Sequence, residues 1–548
     1  MIDQRRKAGE TRGKTGSRES HFGRFNCSAP TVANVKPKSE WPASRVRWVA
    51  AAALFCVALA AFSDSGRAAE GELTVQVVEE ATGEPIAARV ELTRPELIAP
   101  DASRRGSRRS VLRVVRPLPA RGTIPTSLGF IVDGKVRLNL KEGPYEFRVT
   151  HGPEYRVIRG NFTIEKTSED KHIVSLPRIL NMATLGWTSL DAFAPDSRHD
   201  LSQRMRSEGL DIAWINDVKN DEKINSPPVG TDLVGDLIFY SLDESVEKAE
   251  PTIHDSTLAA LSRLTKKPGA DKIAIENPFA WALPVYLASQ KIDGMFVLGD
   301  WLRLDSPVLK PSRGRPFPTE QPRDPRSLGR EAEQIYWETL GAGFTIAPLA
   351  GTGHEADEHP IGYNRLYVSR KDPSHHLWDS VWKGNTFVTN GPLLRPELDG
   401  QPPGHVFELS EGEKLSLTPQ VTLTVRDPVD YLEVIVNGMV HHTAKLDEFA
   451  KAGGRISPIN VSGPGWALIR VVTLHEDHFR AAISAPWYFE VGGQRRISRR
   501  SVEFFQGWLS DYEAELKSQP EADLAAYAPY IRAAREFWRD RLAQANAR

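Results

Sequence analysis

Ala183–Phe193 reads ATLGWTSLDAF, Leu201–Leu210 reads LSQRMRSEGL and Asp211–Asp217 reads DIAWIND. An apolar run closing on a carboxylate, an amphipathic segment and a second apolar run closing on a carboxylate make one strand, helix, strand unit. The rhythm then repeats. LIFYSLD from Leu237 is followed by helical STLAALSRL and by KIAIENPF, and KIDGMFVLGDW from Lys291 by helical GREAEQIYWETLGAG and FTIAPLAG. Successive units of this kind predict a mostly parallel sheet or barrel over residues 177–395, with functional loops just after Asp191, Glu276, Asp300 and Ala350.

Outside this stretch the period drops to two. ELTVQVVEEATGEPIAARVEL from Glu72 reads as two strands joined by a turn at Ala81–Pro85, and KVRLNL and GPYEFRVTHGPEYRVIRGNFTI continue the alternation. We expect an antiparallel β-sandwich over residues 70–176. Its insertion Arg104–Arg121 carries seven arginines and reads as a solvated loop or an anion-binding one. Alternation returns in KLSLTPQVTLTV, in YLEVIVNGMVHH with its Asn437-Gly438 hairpin signal, and in GWALIRVVTL and PWYFEV, predicting a second sandwich over residues 396–494. Residues 499–548 read as two helices, the last with Leu524, Tyr527, Ile531, Ala534, Trp538 and Leu542 on one stripe that packs on the chain's own domains.

The 548 residues exceed one domain, and 40% hydrophobic with 26% charged side chains is a globular composition. Lys and Arg (70) nearly cancel Asp and Glu (71), so no global field points to nucleic acid. Arg45 and Arg47 precede 15 uncharged residues, Trp48–Phe62, followed by small residues at Gly66 and Ala68. That is the make-up of a secretory signal within residues 1–68, cut near Ala68 or Ala69, and too short for a comfortable membrane span. The chain is expected in the periplasm or outside the cell. Both cysteines, Cys27 and Cys56, precede the cut, so the exported part would hold any metal through His, Asp or Glu.

Several blocks taken in order resemble a known family: GPEYRVIRGNFTI, LPRILNMATLGWTSLDAF, AIENPFAWALPVYLASQKIDGMF, IYWETLGAGFTIAPLAGTG, GYNRLYV, GNTFVTNGPLLRPELDGQPPGHVF and the terminal EFFQGW. Together they are similar to the CehA/McbA-like branch of the PHP (polymerase and histidinol phosphatase) metallohydrolases, in the secreted multidomain form common in planctomycete-type bacteria. The resemblance covers about Gly71 to the end. It implies a multidomain α/β plus all-β chain: a distorted (β/α)7 barrel flanked by two sandwiches, the first carboxypeptidase-regulatory-like, with a C-terminal helical hairpin.

The same resemblance exposes departures. Members that look active carry Gly-Asp-Leu-His-Val-His at the first barrel strand; this chain has Leu190-Asp191-Ala192-Phe193-Ala194-Pro195, so Phe193 and Pro195 stand in the histidine positions. The family's later Asn-Asn-His is Gly299-Asp300-Trp301 here, and its acidic middle motif is blurred to Thr231-Asp232-Leu233-Val234-Gly235-Asp236. Asp191 and Glu276 survive as the candidate catalytic carboxylates. A hydrolytic divalent ion needs about three protein ligands and an open position. A rebuilt site would have to draw on Asp191, His199, Glu276, Asp300 and His354 to hold Zn, Mn or Fe. Asn364 and Arg365 read equally as an anion-binding pair or as scaffold.

Three functions remain open on the sequence. One is an exported, catalytically degenerate relative acting as a binding or scaffold module without a cofactor. Another is a working metal-dependent phosphoesterase or other hydrolase with a relocated site. The last is a glycan- or cell-envelope-binding protein. The partner expected is a small-molecule or envelope ligand, with no nucleic acid and no membrane span after signal removal.

Overall fold

In the strand Lys135–Lys141, Val136, Leu138 and Leu140 are buried while Lys135, Arg137 and Asn139 face outward, as a half-buried strand requires. It lies antiparallel to Glu70–Glu79, which pairs in parallel with Glu169–Leu176. These three strands face a six-stranded sheet built around Ala87–Leu97 and Gly143–Thr150, and Val75, Val90, Leu92, Phe130, Leu138 and Val149 fill the space between. The turn at Ala81–Pro85 is closed by a short antiparallel bridge between Val78 and Pro85, with Gly83 at φ +71° and its N–H donating to Glu79 O at 2.8 Å, before the chain passes from one sheet to the other. The expected all-antiparallel sandwich is corrected to a mixed one by the Glu70–Glu79 and Glu169–Leu176 pair.

The computed structural model describes residues 70–97, 110–114, 123–194, 200–215, 230–242, 257–263, 269–302, 314–315, 325–353, 360–371, 376–451, 453–474, 478–519 and 524–548. All belong to one unit, Ala68–Arg548. The signal segment, His199, His354, Pro195 and most of the arginine-rich insertion lie outside the described residues.

Between residues 177 and 395 the expectation of mostly parallel pairing is corrected. Among the described residues, three ladders there are parallel and four antiparallel. They fall into two sheets. Gly230–Val234, Leu237–Ser241, Asp271–Ile275, Gly294–Leu298 and Ala347–Ala350 form one in sequence order. Ile212–Ile215, Trp187–Ala194, Arg365–Ser369 and Thr386–Thr389 form one edge of a ten-stranded sheet that continues through Ala481–Ser484 into the C-terminal strands. Phe387 is opposite Ser484 and Thr389 opposite Ala482, so one hydrogen-bonded sheet joins strands from both sides of the boundary expected at residue 395. Asn437 and Gly438 make the expected tight turn, both with positive φ (+54° and +79°), between Val429–Val436 and Met439–Ala444.

The two C-terminal helices, Arg499–Ser518 and Leu524–Ala543, pack on each other and on the short helix Leu283–Ala288. Ile531, Ala534 and Trp538 are buried in the central core; Tyr527 and Leu542 sit at its margin and Leu524 is exposed. Trp538 stacks on Phe505 at 5.0 Å and donates Nε1–H to Pro284 O at 2.9 Å. The chain is mainly β with a smaller share of helix, and no helix among the described residues is long and apolar enough to cross a membrane.

Candidate functional site

Asp191 lies near the end of Trp187–Ala194, between the strands Ile212–Ile215 and Arg365–Ser369. The ladder shifts register between Asp191 and Ala194, and the side chain is completely buried. Its Oδ1 accepts the N–H of Phe193 at 3.1 Å and of Thr352 at 3.0 Å. Its Oδ2 accepts the N–H of Gly362 at 2.8 Å and the hydroxyl of Thr352. A carboxylate offers about four lone-pair sites, and here four donors occupy them. Burial pushes the Asp191 carboxyl up to about 6, against the pull of those four donors.

Two positions that the resemblance would assign to imidazoles carry aromatic rings. Phe193 is fully buried and Trp301 nearly so, both in the central core. Trp301 meets Phe279 edge-on at 5.3 Å and lies so close over Gly299 that a Cβ there would fall 2.3 Å from the indole. Neither ring offers a lone pair to a metal. Tyr240 donates its hydroxyl to Ala192 O at 2.8 Å, and its phenol is pushed well above the ordinary value by burial, then by the charges of Asp191 and Glu276. Both surviving carboxylates therefore lie within electrostatic range of one phenol.

Glu276 is partly buried at the end of Asp271–Ile275, where its backbone N–H donates to Asp236 O at 2.9 Å. Asp236, from the blurred middle motif, also receives Asn277 Nδ2 at 3.0 Å and the Tyr286 hydroxyl at 3.2 Å. Asp300 is buried against Gly353, whose φ is +91° and where an added Cβ would fall 2.4 Å from the Asp300 Cβ, leaving no room for a side chain. Among the described residues no group of three or more His, Cys, Asp or Glu could hold a metal ion. Asp191 is saturated by its four donors, and neither Phe193 nor Trp301 carries a metal-ligating atom.

Asn364 and Arg365 are buried and turned toward backbone. Asn364 Nδ2 reaches Gly299 O at 2.8 Å and Leu302 O at 3.3 Å, and its Oδ1 accepts from Asn390 Nδ2 at 3.3 Å. Asn390 in turn accepts the N–H of Ala481 at 2.8 Å. Arg365 donates to the carbonyls of Gly362, Gly209 (3.2 Å) and Glu208 (3.0 Å). These contacts tie loops together across three segments of the chain. Sequence reasoning missed Thr352 and Gly362, the main partners of Asp191; both stand inside the quoted blocks, but 161 and 171 residues from it, a distance that no spacing rule spans.

No family model matches the chain, and no curated protein does. Some solved structures overlap it. The Bacillus anthracis TIE protein is 20% identical over 24% of this chain and 20% of its own, with a TM-score of 0.13, so the chain spans about a fifth of that protein's length. The N-terminal four Ig domains of Dscam1 isoforms 4.44 and 8.4 are each 9% identical over 77% of this chain, covering 73% and 72% of theirs, also at a TM-score of 0.13. Overlaps this loose do not describe a shared fold.

Proposed function

We propose that the chain is an exported relative of the CehA/McbA-like PHP metallohydrolases in which residues 177–395, an opened remnant of the (β/α)7 barrel, have become a binding or scaffold module. The observation that carries this reading is the state of Asp191: all four acceptor positions are taken by Phe193, Thr352 and Gly362, and the side chain is fully buried. A carboxylate so engaged would have to give up backbone N–H groups to bind an ion, leaving buried donors unpaired, which is unfavourable. The ordered run of family blocks supports the ancestry, and Arg45–Ala68 supports export.

Elemental analysis of the purified, exported protein after incubation with Zn, Mn or Fe and dialysis tests the reading. No stoichiometric metal is expected. A stoichiometric ion that is lost in Glu276→Ala would overturn it in favour of a working metallohydrolase.

A further inference from the structure

Next to the Asp191 site, where the first sandwich meets the central and C-terminal strands, five guanidinium groups line one cleft: Arg89, Arg148, Arg365, Arg426 and Arg480. Arg89 and Arg148 come from the paired strands Ala87–Leu97 and Gly143–Thr150, in register with Thr150 and Glu91 respectively. Arg426 follows the strand Pro419–Thr424 and Arg480 immediately precedes Ala481–Ser484. Arg89, Arg365 and Arg480 are 4%, 2% and 3% exposed, so their charges are largely withdrawn from water.

The carboxylates present do not balance this charge. Glu91 lies 3.5 Å from Arg148 and 3.9 Å from Arg89, Glu208 lies 3.3 Å from Arg89, and Asp427 lies 2.6 Å from Arg480 and 3.9 Å from Arg426. Five cations against three anions leave a surplus of two positive charges. Arg365 is held by its three carbonyls, but Arg89 Nη1, Arg148 Nε and Arg426 Nε are buried without an acceptor. Crowding shows on Arg426, whose guanidinium is pushed down to about 10 by burial and then by the neighbouring Arg480 charge. The cleft encloses about 30 Å³, room for one small group, and Arg148, 28% exposed, marks its open side.

Buried charge is stable only when paired and hydrogen-bonded. We propose that this cleft binds a small dianionic oxyanion, a phosphate or sulfate group, through Arg89, Arg148, Arg426 and Arg480. A dianion cancels the surplus of two, and its several oxygens can accept from N–H donors on separate segments, as charge-assisted bonds to such groups do. A carboxylate would cancel only half of the surplus. The cleft shares Gly362 with the Asp191 site, but Asp191 does not line it and none of the four proposed arginine ligands donates to Asp191: a metal found at Asp191 would overturn the preceding reading and leave this one standing.

Thermal unfolding and titration calorimetry of the full chain with inorganic phosphate, inorganic sulfate and phenyl phosphate, each against chloride at matched ionic strength, test the proposal. A rise in melting temperature beyond chloride is expected, with saturable binding that Arg426→Met and Arg148→Met each weaken by about tenfold or more. Arg148→Met removes a partly exposed side chain and keeps the test valid should Arg426→Met fail to fold. Tighter binding of an inorganic ion assigns a free oxyanion, and tighter binding of phenyl phosphate assigns the anionic end of a larger molecule. No anion-specific shift with any of the three, or an equal shift in the folded variants, would overturn the proposal and leave the arginines as interdomain ties.

Discussion

Asp191 behaves as a tie between loops, and its chemistry can be read through pH. Its folded-state carboxyl sits at about 6, above the ordinary 3.8, so folding favours the protonated form. The stabilising contribution is complete below the ordinary value and is lost as pH rises through about 6. A shift of this size corresponds to roughly 3 kcal/mol. Urea unfolding of the parent and Asp191→Asn across this range should show the parent losing about that much relative to the variant; a difference flat with pH would contradict the burial argument. Thr352→Val removes the hydroxyl donor to Asp191 Oδ2 and should cost about 2 kcal/mol in the same assay at neutral pH, with Thr352→Ser costing less. That Asp191 matters was legible in the sequence as a surviving polar position. Its engagement by Thr352 and Gly362 was not, because those donors reach it only when three loops converge.

At the scale of elements, the C-terminal helix is held to the body by few but large contacts. Trp538 is wholly buried, stacks on Phe505 and donates to Pro284 O. Trp538→Ala should destabilise by about 3–5 kcal/mol through the cavity and the orphaned carbonyl, read as a lower denaturant midpoint. The stripe that carries Trp538 was legible because a helix repeats its faces every three to four residues. The turn at Ala81–Pro85 between two strands was legible from its Gly and Pro, but the sheet that each strand joins was not. Alternation marks Glu70–Glu79 and Ala87–Leu97 as strands, but both chains inside a sandwich look alike whether they pair or face each other across the core. The Asn437-Gly438 turn was legible because both residues tolerate the left-handed backbone that a tight hairpin demands.

For the whole molecule, the continuous sheet makes the central and C-terminal strands one cooperative body. Thr386–Thr389 pairs with Arg365–Ser369 on one side and with Ala481–Ser484 on the other. Arg470 in the C-terminal strands is bound to Glu333 at 2.5 Å and Glu433 at 2.7 Å, adding a tie to the central helix Pro325–Gly341. A chain ending at residue 395 would expose the unpaired edge of Thr386–Thr389 and the apolar face beside it, and should aggregate. Size-exclusion chromatography of residues 70–395 against 70–548 checks this, and a folded, monomeric shorter chain would count against the shared sheet. Under the proposed export, mass spectrometry of the mature protein should place its first residue near Ala69 or Glu70, and a chain beginning at Met1 would rule out the proposed cleavage.

The sequence by itself determined which segments alternate and which repeat with helical period, because local period and side-chain chemistry are written residue by residue. Tertiary structure alone decided that the pairing is mixed, that one sheet joins strands on both sides of residue 395, that Asp191 is saturated and that arginines from residues 89 to 480 meet in one cleft. Those facts depend on which strand edges find each other and on what the packed core leaves room for, and long-range pairing leaves no mark on local spacing.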